Sequence, residues 1–369
     1  MQVSTSYSTL NRESLISTIR INSLQPPPLH DKLASERTSS SMPVSKATSI
    51  ANSNIAAIKY WGNRDHALRL PVTGSLSLNL DGLHTRTTVA FDPSLAADVV
   101  VLGGDIQSPE SSKRVSDHLD RVRGRAGIKT FARVDSQNNF PAGTGIASSA
   151  SGFAALTLAA CTAAGLALSE RDLSILARQG SGSASRSIPT GFVEWQMGAN
   201  SDGSDSFAFS IAAPDHWALA DCIAIVSHTH KEVGSTDGHA LAHTSPLQPA
   251  RIDDTPRRLH ACREALLARN FPAFAEIVEE DSTIMHAIMM TSRPPLYYWL
   301  PPTLAIMEAV RKWRAEGLPA CFTIDAGPNV HVITFAEHMA EVSNRLRAIS
   351  GVQNVLTARP GGGATLIHE

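Results

Sequence analysis

The chain has 369 residues, enough for two or three structural units with a proper core. Hydrophobic residues make up 43% of it and charged residues 18%, with a formal net charge of −2, so it reads as a soluble globular protein with no global attraction for nucleic acid or anionic membranes. Any phosphate recognition must then be local, and the ligand a small anion rather than a polymer.

Residues 1–44 are rich in Ser and Thr, contain Pro26-Pro-Pro28 and have no sustained apolar period, so they read as a disordered extension. Glu13, Asp31 and Glu36 among its arginines argue against an organelle-targeting peptide, and the missing apolar core argues against a secretory signal. Met42 offers an alternative start. From Lys46 to about Asp135 short runs alternate apolar and polar residues, and Ser75–Leu80 and Thr85–Phe91 read as half-buried strands. Ser116–Arg125 reads as a short helix with Leu119 and Val122 inward, and Lys129–Val134 as another strand.

From Ser136 to Ser169 there is no charged residue, which is long enough for a membrane span, but Asn, Pro, Gly and Ser crowd its first half. Its Ala-rich second half suits a helix packed inside a soluble core. A further helix follows at Glu170–Arg178, capped by Ser169. Asp221–Ser227 is a candidate central strand; helices are expected at Pro256–Leu267, Phe271–Glu280 and Leu300–Glu316; strands at Thr323–Asp325 and Val330–Thr334; and a last helix at Ala336–Ile349. This mixed order implies an α+β fold.

Cys161, Cys222, Cys262 and Cys321 lie far apart with no Cys-x-x-Cys pair, which argues against a disulfide framework or a zinc site and fits a reducing, cytoplasmic compartment. His228 and His230 have no acidic or cysteine ligands at a familiar metal spacing, so no dedicated metal site is expected.

The segment Asn139-Phe-Pro-Ala-Gly-Thr-Gly-Ile-Ala-Ser-Ser-Ala-Ser151 joins a small-residue turn to the uncharged helix. Gly143 and Gly145 let the backbone turn its amides toward an anion, Ser148, Ser149 and Ser151 add hydroxyls, and the helix dipole favours negative charge there. Alone, the same segment also serves as an ordinary helix cap. It has neither the lysine of a Walker-type loop nor the dinucleotide spacing.

Three further segments, Asn54-Ile-Ala-Ala-Ile-Lys-Tyr-Trp-Gly-Asn-Arg-Asp65, Arg178-Gln-Gly-Ser-Gly-Ser-Ala-Ser-Arg-Ser187 and Asp325-Ala-Gly-Pro-Asn-Val330, complete a pattern. With them, from about Lys46 to its end, the chain resembles the diphosphomevalonate decarboxylase group of the galactokinase, homoserine kinase, mevalonate kinase and phosphomevalonate kinase (GHMP) superfamily. The opening reads most like that of the bacterial phosphomevalonate decarboxylases. The resemblance implies a two-domain GHMP-type fold, with a ribosomal-protein-like ATP-binding domain at 45–215 and a ferredoxin-like domain at 216–369. It also implies ATP and Mg²⁺, a small phosphorylated mevalonate as substrate, and a homodimer, with no nucleic-acid or membrane partner.

By position, Asp325 resembles the family's catalytic carboxylate, which takes the proton of the substrate's tertiary hydroxyl as ATP phosphorylates it. By itself it reads as a turn Asp bonded to its own backbone. Lys59, a cation in an apolar segment, corresponds to the lysine beside that carboxylate, and Arg186 to the arginine that clamps the substrate carboxylate. Asn54, Tyr60, Trp61, Ser185 and Ser235 are the expected substrate contacts, and Gly143, Gly145, Ser148, Ser149 and Ser151 the expected ATP-phosphate contacts. Many family members carry a second lysine where this chain has Asn63. Losing that charge disfavours the more highly charged ligand, although Arg64 is placed to compensate. The leading expectation is therefore 5-phosphomevalonate decarboxylase, forming isopentenyl phosphate. The alternatives are 5-diphosphomevalonate decarboxylase, a kinase that stops at phosphorylation, and a silent nucleotide-binding protein.

Overall fold

The computed structural model describes residues 46–140, 148–228 and 233–367. The expected disorder of the first 44 residues, and the expected phosphate contacts Gly143 and Gly145, lie outside the described residues.

Two long strands form the spine of the first half: β1 (Lys46–Ile58) and β4 (Ser75–Phe91) pair antiparallel over most of their length, with a small hairpin of β2 (Asn63–Asp65) and β3 (Leu70–Pro71) between them. The two strands expected within Ser75–Phe91 are one, because Gly82 takes the left-handed φ of 84° and lets the chain pass without ending the pairing. β5 (Val99–Leu102) and β6 (Asp105–Ile106) lead to α1 (Pro109–Ala126). That helix starts well before the expected Ser116, since Ser108 caps it by accepting from the Ser111 amide and Pro109 needs no amide partner at its first position. Leu119 and Val122 are buried as expected.

β7 (Ala132–Asn138) pairs antiparallel with β4 and parallel with β5. The uncharged helix α2 (Ser148–Ala163) then lies across β1 and β4, buried along most of its length, with the Ser49 hydroxyl bonded to its Ala155 carbonyl at 2.6 Å. Small side chains permit this close approach. α3 (Glu170–Gly180) is capped by Ser169, as expected, and β8 (Phe192–Trp195) and β9 (Ala208–Ala212) extend the sheet beside the start of β4. No helix among the described residues is long and apolar enough to cross a membrane.

The second half runs through β10 (Leu219–Ile225), α4 (Ser235–Leu241), α5 (Gln248–Leu267), α6 (Phe271–Thr291), α7 (Pro301–Ala315), β11 (Ala320–Thr323), β12 (Val330–Phe335), α8 (Met339–Arg347), β13 (Asn354–Pro360) and β14 (Thr365–Ile367). α5 begins eight residues before its expected start at Pro256, and α6 continues beyond its expected end at Glu280. Both errors have one cause. The first half of α5 turns Gln248, Arg251, Thr255 and Arg258 inward, and α6 interrupts its apolar face with Asp281 and Ser282 before Met285, Ile288 and Met289, so the apolar period starts late in one and breaks in the other. β11 ends at Thr323, which leaves Asp325 in the turn beyond it rather than in a strand, and the expected last helix divides into a 3₁₀ turn and α8.

The sheet order is β11-β12-β10-β13-β4-β7-β5-β6. Its two halves meet where β13 pairs with β4 at Arg359–Asp81 and Pro360–Leu80, and β14 returns to pair with β1. The link between β13 and β14 presses on the first half: a Cβ at Gly363 would fall 2.2 Å from the Ile188 carbonyl oxygen, so only glycine fits.

Candidate active site

Where β1 ends, Lys59, Tyr60 and Trp61 turn into a cleft with a cavity volume of about 260 Å³. The polar faces of α5 and α6 hold this turn in place. The Lys59 amide donates to Asp281 Oδ2 at 2.7 Å, Arg251 donates to the Lys59 and Trp61 carbonyls at 2.8 and 3.1 Å, and Gln248 donates to the Trp61 carbonyl at 3.2 Å. Arg258 Nε donates to the other oxygen of Asp281 at 2.9 Å. These groups are buried together, and the Lys59 amide and the Lys59 and Trp61 carbonyls are met by side chains because no strand continues there.

Lys59 Nζ reaches Asp325 Oδ1 at 2.6 Å, with the lysine side chain 1% and the aspartate 29% exposed. Asp325 is placed from both sides: Thr323 donates to the Ala56 carbonyl of β1 at 3.2 Å, and the Ile324 amide donates to Ser282 of α6 at 2.9 Å. Burial pushes the Asp325 carboxyl up, but Lys59, with His331 and Arg186, outweighs it and holds the group below the ordinary carboxylate value. The carboxylate is therefore ionised at neutral pH and open to the cleft on one side.

Arg186 is buried, its Nη1 donating to Ser75 Oγ at 2.8 Å and its Nη2 to Asn54 Oδ1 at 3.2 Å. Asn54 is oriented in turn by donating to Ser187 Oγ at 2.8 Å and to the Ser183 carbonyl at 3.2 Å. Burial lowers the Arg186 pKa to about 10, against the pull of Asp325 and Tyr60, so it stays a cation at neutral pH. Its Nε has no partner among the described residues. Lys59, Asp325, Arg186, Asn54, Tyr60, Trp61 and Ser235, all expected from sequence, thus line one cleft.

A family model for the diphosphomevalonate decarboxylase-like N-terminal domain matches residues 51–208, and one for the mevalonate 5-diphosphate decarboxylase C-terminal domain matches residues 222–360. The chain belongs to the diphosphomevalonate decarboxylase family. It is 39% identical to a diphosphomevalonate decarboxylase of Ganoderma lucidum over 82% of this chain and 81% of the relative, and 37% identical to the human one over 82% and 80%. Its fold is similar to that of the mevalonate diphosphate decarboxylase from Enterococcus faecalis, with a TM-score of 0.82 and 38% identity over 88% of this chain and 99% of that one. A further structure, of MDDEF in complex with MVAPP, AMPPCP and magnesium, is similar with a TM-score of 0.82 and 39% identity over 88% and 99%.

Within this family framework some expected contacts move. Ser148 and Ser149, at the start of α2, line the cleft, but Ser151 is fully buried and bonded to Thr85 Oγ1 at 2.7 Å. Ser185 is also fully buried, its hydroxyl given to the Gly182 carbonyl at 2.8 Å, and Ser183 takes the place at the cleft wall instead. Gly182 itself must be glycine, because a Cβ would lie 2.5 Å from the Tyr60 ring. Asn63 does not line the cleft: its Oδ1 accepts from the Tyr60 hydroxyl. Arg64 does not compensate for it either, since it is exposed and donates to the carbonyls of Gly198 and Asn200 at 3.3 and 3.1 Å.

Several site residues escaped the sequence reading. Asp281 could have been found from its place between Val278 and Met285 on the buried face of α6, where a lone carboxylate requires a partner. His239 lies four residues after Ser235 on α4, hence on the same face. Arg69 carries no sequence signal, because the β2–β3 hairpin decides where it points. A second pocket, of about 450 Å³, shares Ser148 and Ser149 with the cleft and is lined by Leu102, Val115, Val134, Phe140, Phe153 and Leu156. Those residues are scattered over four elements, β5, α1, β7 and α2, and the Phe140 loop.

Proposed function

We propose that this protein decarboxylates 5-diphosphomevalonate with ATP, giving isopentenyl diphosphate, ADP, phosphate and CO₂. The observation that carries this reading is the Lys59–Asp325 pair beside the buried Arg186. The substrate's tertiary hydroxyl sits at the open side of Asp325, which accepts its proton as the oxygen takes the γ-phosphoryl group. Lys59 keeps the carboxylate ionised and aimed. Arg186, fixed by Asn54 and Ser75, lines the cleft as a cation and holds the substrate carboxylate there. Phosphate then leaves the tertiary carbon, the electron pair of the carboxylate C–C bond forms the alkene, and CO₂ departs.

ATP phosphates meet the hydroxyls of Ser148 and Ser149, and the mostly apolar second pocket behind those serines takes the adenine ring. Mg²⁺ would come with the nucleotide, in line with the MDDEF complex that contains AMPPCP and magnesium. That ion neutralises charge on the transferring phosphoryl group when bound.

The named relatives and the structure containing MVAPP support the diphosphate over the monophosphate that leads the sequence reading. The two family matches on either side of residue 215 support the domain division proposed from sequence, and the homodimer and the cytoplasmic location belong to this reading through the family resemblance.

The expected result is a higher kcat/KM on 5-diphosphomevalonate than on 5-phosphomevalonate, with one CO₂ released per ADP. A preference for the monophosphate overturns the substrate assignment. ADP formation without CO₂ overturns the reaction.

A further inference from the structure

Lys59 and Arg186 account for two cations of the cleft wall, and Arg69 is another whose role the reaction above does not use. It is the first residue of the return strand's approach, at a left-handed φ of 50°, a conformation that arginine adopts rarely. Its Nε donates to the Gln179 carbonyl at 3.3 Å, at the end of α3, where the helix dipole favours a cation. Arg114 Nη2 donates to the next carbonyl, Gly180, also at 3.3 Å. No carboxylate pairs with Arg69 among the described residues, and Arg121 adds positive charge nearby. A strained, half-buried guanidinium beside other guanidiniums and without an acid is an arrangement that an anion relieves.

His239 lines the same cleft. The Gly62 amide donates to His239 Nδ1 at 3.0 Å, which fixes the ring proton on Nε2, and the ring lies 4.1 Å from Tyr60 and 4.6 Å from Trp61. Burial, with Arg69 as the largest neighbouring charge, lowers the imidazole pKa to about 3, so the ring offers a neutral N–H donor. Arg69 acts on Tyr60 and His239, as Arg186 also does, but it is not among the charges that act most on Asp325, so it belongs to the Tyr60–His239 side of the cleft wall.

We infer that Arg69, with the His239 Nε2–H in the same cleft, binds the terminal phosphate of the substrate's diphosphate and thereby sets the phosphate number that the enzyme prefers. The inference rests on the diphosphomevalonate reading. It replaces the role first assigned to position 63.

The test is Arg69→Gln, with Arg69→Gly and Arg69→Lys as controls. Glycine adopts a φ of 50° without strain, so the glycine variant keeps the fold and melts no lower than the native protein. Both Gln and Gly variants are expected to raise KM for 5-diphosphomevalonate about tenfold, with KM for ATP unchanged and kcat within about threefold, and lysine to restore part of the loss. An unchanged KM for 5-diphosphomevalonate, a rise confined to KM for ATP, or a loss confined to kcat overturns the assignment. Calorimetric binding of inorganic pyrophosphate separates this site from the reaction: a native protein that binds pyrophosphate about tenfold more tightly than either variant keeps the site even if it turns over neither mevalonate phosphate. Equal pyrophosphate binding in all of them, or none in the native protein, sinks it.

Discussion

Asp325→Asn is expected to lower kcat by about 10²–10⁴-fold, the usual contribution of a positioned general base, while ATP affinity stays within about threefold. The amide keeps the shape of the carboxylate but cannot take the hydroxyl proton, and it turns the 2.6 Å contact with Lys59 from an ion pair into a hydrogen bond from the ammonium to a neutral amide oxygen. Because the Asp325 side chain is 29% exposed to the cleft, water shares in satisfying Lys59, and the protein stays folded. The same electrostatics set the pH dependence. Lys59, His331 and Arg186 outweigh burial and hold the carboxyl below its ordinary value, so the base remains ionised as the pH falls through that value. The acid limb of kcat/KM that belongs to Asp325 therefore lies below the ordinary aspartate range. Product formation, nucleotide affinity and a pH profile of kcat/KM measure all three, and near-native turnover in the variant removes Asp325 from the mechanism.

Asp281→Ala carries the largest expected loss of stability, about 3–5 kcal/mol, which is typical of removing one partner from a buried ion pair. Arg258, 1% exposed, loses its buried carboxylate and keeps only Asp254, whose side chain is 40% exposed, while the Lys59 amide loses its acceptor. Asp281→Asn retains an acceptor for that amide and loses less. The melting temperature of the alanine variant should fall by several degrees, and at a temperature where it remains folded its kcat should fall as well, because the turn that aims Lys59 has lost its anchor. A melting temperature within a degree of the native value contradicts this account.

Lys59, Arg186 and Asp325 were named through the family resemblance of the motifs that hold them; alone, each has an ordinary reading, a lysine that reaches solvent, a surface arginine after a Ser/Gly turn and a turn carboxylate before Gly-Pro. What holds those residues was not legible. Arg251, Arg258 and Asp281 occupy inward helical positions that a hydrophobic period assigns to apolar side chains, which also hid the start of α5 and the true length of α6. Hydroxyls were misplaced for a local reason. In a Ser-rich turn every serine is chemically equivalent, and only the phase of the helix or 3₁₀ turn decides that Ser148, Ser149 and Ser183 face the cleft while Ser151 and Ser185 face the backbone. Asn63 was read by analogy with a lysine, but it sits in a short strand where its side chain meets Tyr60. The overall α+β order was correct, since strand and helix periods differ wherever one face is apolar.

The return of residues 354–367 to the first half has a consequence for synthesis on the ribosome. β14 covers the outer edge of β1 at Thr48–Ile50, β13 touches the middle of β4, and the Gly361 amide donates to the Asn79 carbonyl at 2.8 Å. Until those late residues have been made, the early strands wait with an unpaired edge, and the wall that carries Asn54 and Lys59 lacks its outer support. The nascent first half is therefore the stage at which this protein is most exposed to mispairing with other chains, and protection during translation matters more to it than to a protein whose halves close independently.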